Sequence, residues 1–158
     1  MEINVTIPNH LNEITLRQYK KFLSIQESND DINFIQAKMI EIFCGVSHKL
    51  ATQMKYVDVE DITGTINKMF LEKPQLVTSF KLNDKEYGFI PKLDDMTLGE
   101  YIDLDSYTGD YDKIEVAMNV LYRPIKAKVG SKYVIEDYDP ETKDEMLDMP
   151  MDAVISSL

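Results

Sequence analysis

The residues able to do chemistry in this chain are few, and their spacing is wrong for most reactions. Cys44, the single cysteine, stands in the apolar run of Ile40, Ile42 and Phe43, where a buried, inert thiol is expected. The two histidines, His10 and His48, lie at a turn and just past a helix end, positions suited to solvated imidazoles near free carbonyls. One cysteine and two distant histidines cannot furnish a zinc site. Asp103-Leu104-Asp105-Ser106-Tyr107-Thr108-Gly109-Asp110 opens with the alternation of a calcium loop. Such a loop needs an oxygen ligand at its fifth place, glycine at the sixth and a bidentate glutamate at the twelfth. Tyr107, Thr108 and Ile114 occupy those places, so the motif fails. Gly45, Gly64, Gly88, Gly99, Gly109 and Gly130 all stand singly, which leaves no phosphate cradle. Asp137, Asp139, Glu141, Asp144 and Glu145 read as a solvated acidic stretch. No catalytic, cofactor-binding or metal-ligating residue is expected, no cofactor is implied, and the chain reads as a non-enzyme.

Charge narrows the partners. Seventeen basic against 28 acidic residues give a formal net charge of −11. That repels phosphate backbones, so nucleic acid is not an expected partner. Glu2 and Asn4 interrupt any secretory pattern, and no apolar run approaches the roughly 20 residues that span a bilayer. A reducing cytoplasm without a membrane partner is the expectation. The chain has 9 Met, 9 Tyr and no Trp. Methionine fills irregular core gaps and suits adaptable binding surfaces; core filling is the expected use.

The elements follow from periodicity. Ile3, Val5 and Ile7 alternate with Glu2, Asn4 and Thr6, the period of a half-buried strand that Pro8 ends. Thr15 with Gln18 three residues on makes a capping box opening a helix through Leu16, Tyr19 and Leu23. Residues 34–43 form a helix apolar nearly all round, stopped by Gly45. Residues 47–55 are a connector with room for a short helical turn. Asp58 is expected to cap a helix through Ile62, Ile66, Met69 and Phe70 that Pro74 closes. In the second half, residues 76–82 and 85–90 read as strands about an Asn83-Asp84 turn. Thr97 and Glu100 repeat the box before Tyr101, Ile102 and Leu104. Residues 114–122 form a second apolar helix, ended by Arg123-Pro124. Residues 125–129 and 133–135 flank Gly130-Ser131 as another hairpin. Residues 140–148 read as solvated, and a last helix starts near Met151.

One sequence feature organises these elements. Ile7-Pro8-Asn9-His10-Leu11-Asn12-Glu13-Ile14-Thr15-Leu16-Arg17-Gln18-Tyr19 returns as Ile90-Pro91-Lys92-Leu93-Asp94-Asp95-Met96-Thr97-Leu98-Gly99-Glu100-Tyr101, one residue shorter. The chain therefore reads as two pseudo-repeated units, residues 1–74 and 75–158, each a strand, a capped short helix, a central apolar helix and a further capped helix. The second adds small hairpins. The expected class is mainly helical α+β, with the 34–43 and 114–122 helices meeting in one shared core. Tyr19 and Tyr101, one turn past their caps, should each pack an aromatic body inward. Tyr107, Tyr111, Tyr133 and Tyr138 are candidates for a binding surface.

Glu13-Ile14-Thr15-Leu16-Arg17, a central helix closing as Ile40-Glu41-Ile42-Phe43-Cys44-Gly45-Val46-Ser47, and Asp58-Val59-Glu60-Asp61-Ile62 before Met69-Phe70 resemble the small tail assembly chaperones of tailed bacteriophages. The likeness covers roughly residues 10–72. Leu98-Gly99-Glu100-Tyr101-Ile102-Asp103-Leu104-Asp105 and Leu121-Tyr122-Arg123-Pro124-Ile125 are similar to uncharacterised proteins from structural gene blocks of Bacteroidota-infecting, crAss-like phages. The resemblance implies a non-enzymatic morphogenesis protein acting in the host bacterial cytoplasm. Its partner would be a tail, tape-measure or head–tail protein, and it could form oligomers. The alternative it implies is a stoichiometric virion component, such as a head–tail, hub or packaged cargo protein.

Overall fold

A computed structural model describes residues 3–158. Helix makes up 57% of it and strand 15%, so the class is mainly helical α+β. The chain divides into two compact units, one running to Lys73 and the other from Pro74 to Leu158.

From Leu11 on, the regular elements of the first unit are helices. A 3-10 turn, Leu11–Glu13, leads into α1 (Leu16–Ser28), α2 (Ile32–Cys44), α3 (His48–Thr52) and α4 (Tyr56–Phe70). Helix α2 lies at the centre, with α1, α3 and α4 all packed on it. It buries Ala37, Met39, Ile40, Ile42, Phe43 and Cys44, the consequence of apolar residues on every side. Asp31 caps its start through the amides of Asn33 and Phe34. Gly45 ends it at φ 70°, a conformation that costs glycine nothing. The Phe43 ring meets Phe22 of α1 and Phe70 of α4, each at 5.5 Å between centroids. Tyr19 packs on Phe70 at 4.8 Å.

The second unit holds the sheet. Strands β1 (Ser79–Leu82), β2 (Lys85–Phe89), β3 (Tyr122–Val129) and β4 (Lys132–Ile135) run antiparallel in the order β1-β2-β3-β4. Asn83 and Asp84 turn the first hairpin with φ of 49° and 68°, the left-handed pair that two-residue loops require. Gly130, at φ 62°, serves the second. Helix α5 (Leu98–Tyr107) packs on α6 (Ile114–Leu121), and α7 (Met151–Ser157) ends the described chain. Ile114, Ala117, Met118, Val120 and Tyr122 are fully buried. Gly88 matters for space: a Cβ there would stand 2.6 Å from Cε2 of Tyr133 and 3.0 Å from Ile125. The Tyr133 ring is held in place by its hydroxyl, which donates to the Phe89 carbonyl at 2.5 Å.

Several expectations are corrected. Residues 3–7 alternate between half-buried and exposed as foreseen, yet form no strand, because among the described residues they have no ladder partner; Glu2 lies outside the described residues. Asp58 is not a cap: α4 starts at Tyr56 behind Lys55, which makes no side-chain cap bond, and Asp58 sits in the first turn. Helix α7 likewise has Pro150 before it and no side-chain cap. Tyr122, Arg123 and Pro124 are strand and not helix end, so α6 runs directly into β3. Residues 140–148 are a 3-10 helix packed on α6 with Met146 fully buried, although Glu141, Asp144 and Glu145 stay in solvent as expected. Asn119 of α6 holds that segment: its amide donates to the Asp139 carbonyl at 2.8 Å, and it accepts from the Thr142 hydroxyl at 3.1 Å.

Candidate functional site

Both capping boxes form. Thr15 accepts from the Gln18 amide and Thr97 from the Glu100 amide, while each third residue reaches back to the cap N–H at 2.9 Å. The free atom of each box residue then ties the helix start to the end of the apolar helix. Nε2 of Gln18 donates to the Ile42 carbonyl in α2 at 3.1 Å. Oε1 of Glu100 accepts from Nη1 of Arg123, the second residue after α6, at 2.9 Å. Both members of that ion pair are only 8% exposed. Nη1 of Arg123 also donates to the Glu136 carbonyl at 3.4 Å, while its Nε is buried without a hydrogen-bond partner.

This pair floors an open cleft of about 380 Å³ between the 90–97 segment and β4, lined also by Ile90, Thr97, Tyr133 and Val134. Two further depressions adjoin it. One, of about 590 Å³, shares Ile90, Pro91, Lys92 and Tyr133 with it and adds Leu76, Phe89 and Leu93. The other, of about 500 Å³, is lined by Leu93, Met96, Thr97, Leu98, Tyr101 and Leu104. All three are lined by residues of the repeated 90–101 stretch. Beside them stand large apolar side chains in solvent: Leu93 at 55%, Leu98 at 75%, Tyr101 at 56% and Ile102 at 51% exposure. A separate depression of about 450 Å³ in the first unit lies between Ala37, Ala51, Met54 and Tyr56.

The Arg123 charge is matched inside its own unit by Glu100, so the guanidinium links elements and does not await an anion. The tyrosines left open by the sequence are all half-buried, and Tyr133 lines two of these depressions. Tyr138 donates to Asp103 at 2.6 Å, which gives the first acid of the failed calcium loop a structural use. Tyr133 holds Phe89, and the Tyr107 ring takes the Lys113 ammonium at 5.8 Å. Burial, and next the hydrogen-bonded carboxylate of Asp103, raises the Tyr138 phenol above its usual range; burial and Glu145 do the same for Tyr87. Burial pushes Tyr122 up to about 12. Tyr101, expected to pack inward like Tyr19, stands out in solvent instead.

Cys44 is buried and free, and burial raises its thiol pKa, the signature of a weak nucleophile. His10 is exposed, and His48 lies beside the Phe34 ring, with Nδ1 4.0 Å from Glu41. Among the described residues no group of three or more His, Cys, Asp or Glu is placed to hold a metal ion, and no helix is long and apolar enough to cross a membrane. Met39, Met69, Met118, Met146, Met149 and Met151 are buried, so methionine serves the core.

Sequence reasoning missed the Arg123–Glu100 pair, whose members are 23 positions apart. One signal was present: Arg123 is one of only two arginines, and it directly follows the apolar Leu121-Tyr122. Compared with known proteins, the sequence matches no family model, and no curated protein or solved structure is significantly similar to it.

Proposed function

We propose that this chain is a non-enzymatic morphogenesis factor of a tailed bacteriophage, similar to the tail assembly chaperones, which binds a segment of a larger phage structural protein in the host cytoplasm. One observation carries the binding reading: Leu93, Leu98, Tyr101 and Ile102 are held in solvent beside linked depressions, in a chain of net charge −11. A grouped apolar surface of this kind favours association, at roughly 25 cal/mol for each Å² withdrawn from water. The acidic shell keeps such a protein dispersed while it waits for its client. The motif likeness over residues 10–72 supplies the phage and tail part of the reading.

Affinity capture from infected cells tests it, with tail, tape-measure or head–tail protein as the expected recovery. Mass spectrometry of purified particles then separates a chaperone, absent from mature virions, from a stoichiometric component present at fixed copy number. Capture that recovers no structural protein would sink both.

A further inference from the structure

We infer that the outward face of α5 is a docking site for a basic amphipathic helix of the partner protein, an assignment that rests on the binding reading above. Two positions counted from the caps differ between the units. Leu16 and Leu98 are the first residues of the two boxed helices, and Tyr19 and Tyr101 come three residues later. In the first unit Leu16 is fully buried, and the Tyr19 ring lies on Phe70 from the end of α4. In the second unit the same places are bare, with Leu98 at 75% and Tyr101 at 56% exposure. Where α4 brings an aromatic side chain to Tyr19, Tyr101 borders an open depression of about 500 Å³.

The face has helical spacing. Leu98, Tyr101, Ile102 and Asp105 follow one another at i, i+3, i+4 and i+7, all exposed, so they line one side of α5. Such a ridge beside a groove suits an incoming helix that inserts its own apolar side chains at the same spacing.

Charge selects the occupant. Asp94, Asp95 and Asp105 are exposed around the ridge, and the one acid of α5 matched by an arginine, Glu100, is buried. A second copy of this chain would bring the same acids and a further −11 of charge to the contact. Lysine and arginine flanking an apolar stripe complement the rim and speed encounter.

The test uses the full chain and a fluorescent amphipathic helix with leucines on one side and lysines on the other. A scrambled peptide of the same composition and a glutamate-for-lysine version serve as comparisons. Anisotropy should show binding that weakens with salt, that both comparison peptides lose, and that falls at least tenfold in Leu98→Ser/Tyr101→Ser. Leu71→Ser, at a 79% exposed site in the first unit, should bind as wild type. Equal binding by the double variant, or by the scrambled peptide, overturns the assignment. So does a wild-type dimer in sedimentation that the double variant abolishes, since the occupant is then a second copy. In capture from infected cells, a double variant that still recovers the structural protein removes the site from α5 and leaves the function standing. A wild-type chain that recovers none removes the function itself.

Discussion

Glu100 and Arg123 meet at 2.9 Å in the interior of the second unit, and the same carboxylate closes the capping box of α5 with its other oxygen. One side chain thus fixes where a helix begins and where the strand after α6 must lie. Replacing Glu100 by Ala leaves the Arg123 guanidinium buried without its charge partner and opens the box. The expected cost is about 3–5 kcal/mol by urea unfolding. Glu100→Gln keeps the box and should cost less. A loss under about 1 kcal/mol for the alanine variant would show that the pair is dispensable.

The caps should be worth less than the pair. Thr15→Ala and Thr97→Ala each remove one hydroxyl acceptor from a helix start, at about 1 kcal/mol. Their effects should add, since the two boxes share no residue. Guanidinium melts of the single and double variants read this directly.

Phe43 touches Phe22 and Phe70 at the centre of the first unit and is 6% exposed. Truncation to Ala should destabilise by about 3–5 kcal/mol. A measured loss below half of about 1 kcal/mol would remove Phe43 from the core.

Gly88 yields its side-chain space to Tyr133 and Ile125. Gly88→Ala should therefore cost about 1–3 kcal/mol through overpacking, although alanine ordinarily suits a strand better than glycine. Combining it with Tyr133→Leu, which takes away the colliding ring edge, should cost less than the sum of the two single changes. Additive losses would mean that the two positions do not compete for room.

Alkaline pH should unfold the protein through its buried phenols. Burial raises the folded-state value of Tyr122 from 10.0 to about 12, so above pH 10 the unfolded chain releases a proton that the native one keeps. The stabilisation is complete below pH 10 and is lost as pH climbs toward 12, on the order of 2 kcal/mol for this residue. Tyr122→Phe should flatten that part of the profile. It should also cost about 1 kcal/mol at neutral pH, because the hydroxyl donates to the Val77 carbonyl. An unchanged alkaline slope in this variant would assign the effect elsewhere.

The parts of this fold legible in the sequence are those fixed by local chemistry. Thr15 with Gln18, Thr97 with Glu100, Gly45, Asn83-Asp84 and Gly130 each satisfy a backbone requirement within a few residues, and each sits where its type demands. What depends on distant partners was not legible. The alternation of residues 3–7 looks like a strand, but a strand needs a neighbour for its amides. The acidic 140–148 stretch hides Met146, because composition averages over the one residue that is buried there. Tyr101 reads as inward-facing, since its place one turn past the cap reports a face without saying what covers it. Glu100 was visible as a cap and invisible as an ion-pair partner, for the same reason.

Helix α6 stops at Leu121 and β3 starts at Tyr122, with no residue between them. With no loop between them, any bend there has to come from the dihedrals of Leu121 and Tyr122 themselves, and would pull Tyr122 out of register with Phe89 of β2. The start of β3 is therefore tied both to α6 before it and to β2 beside it.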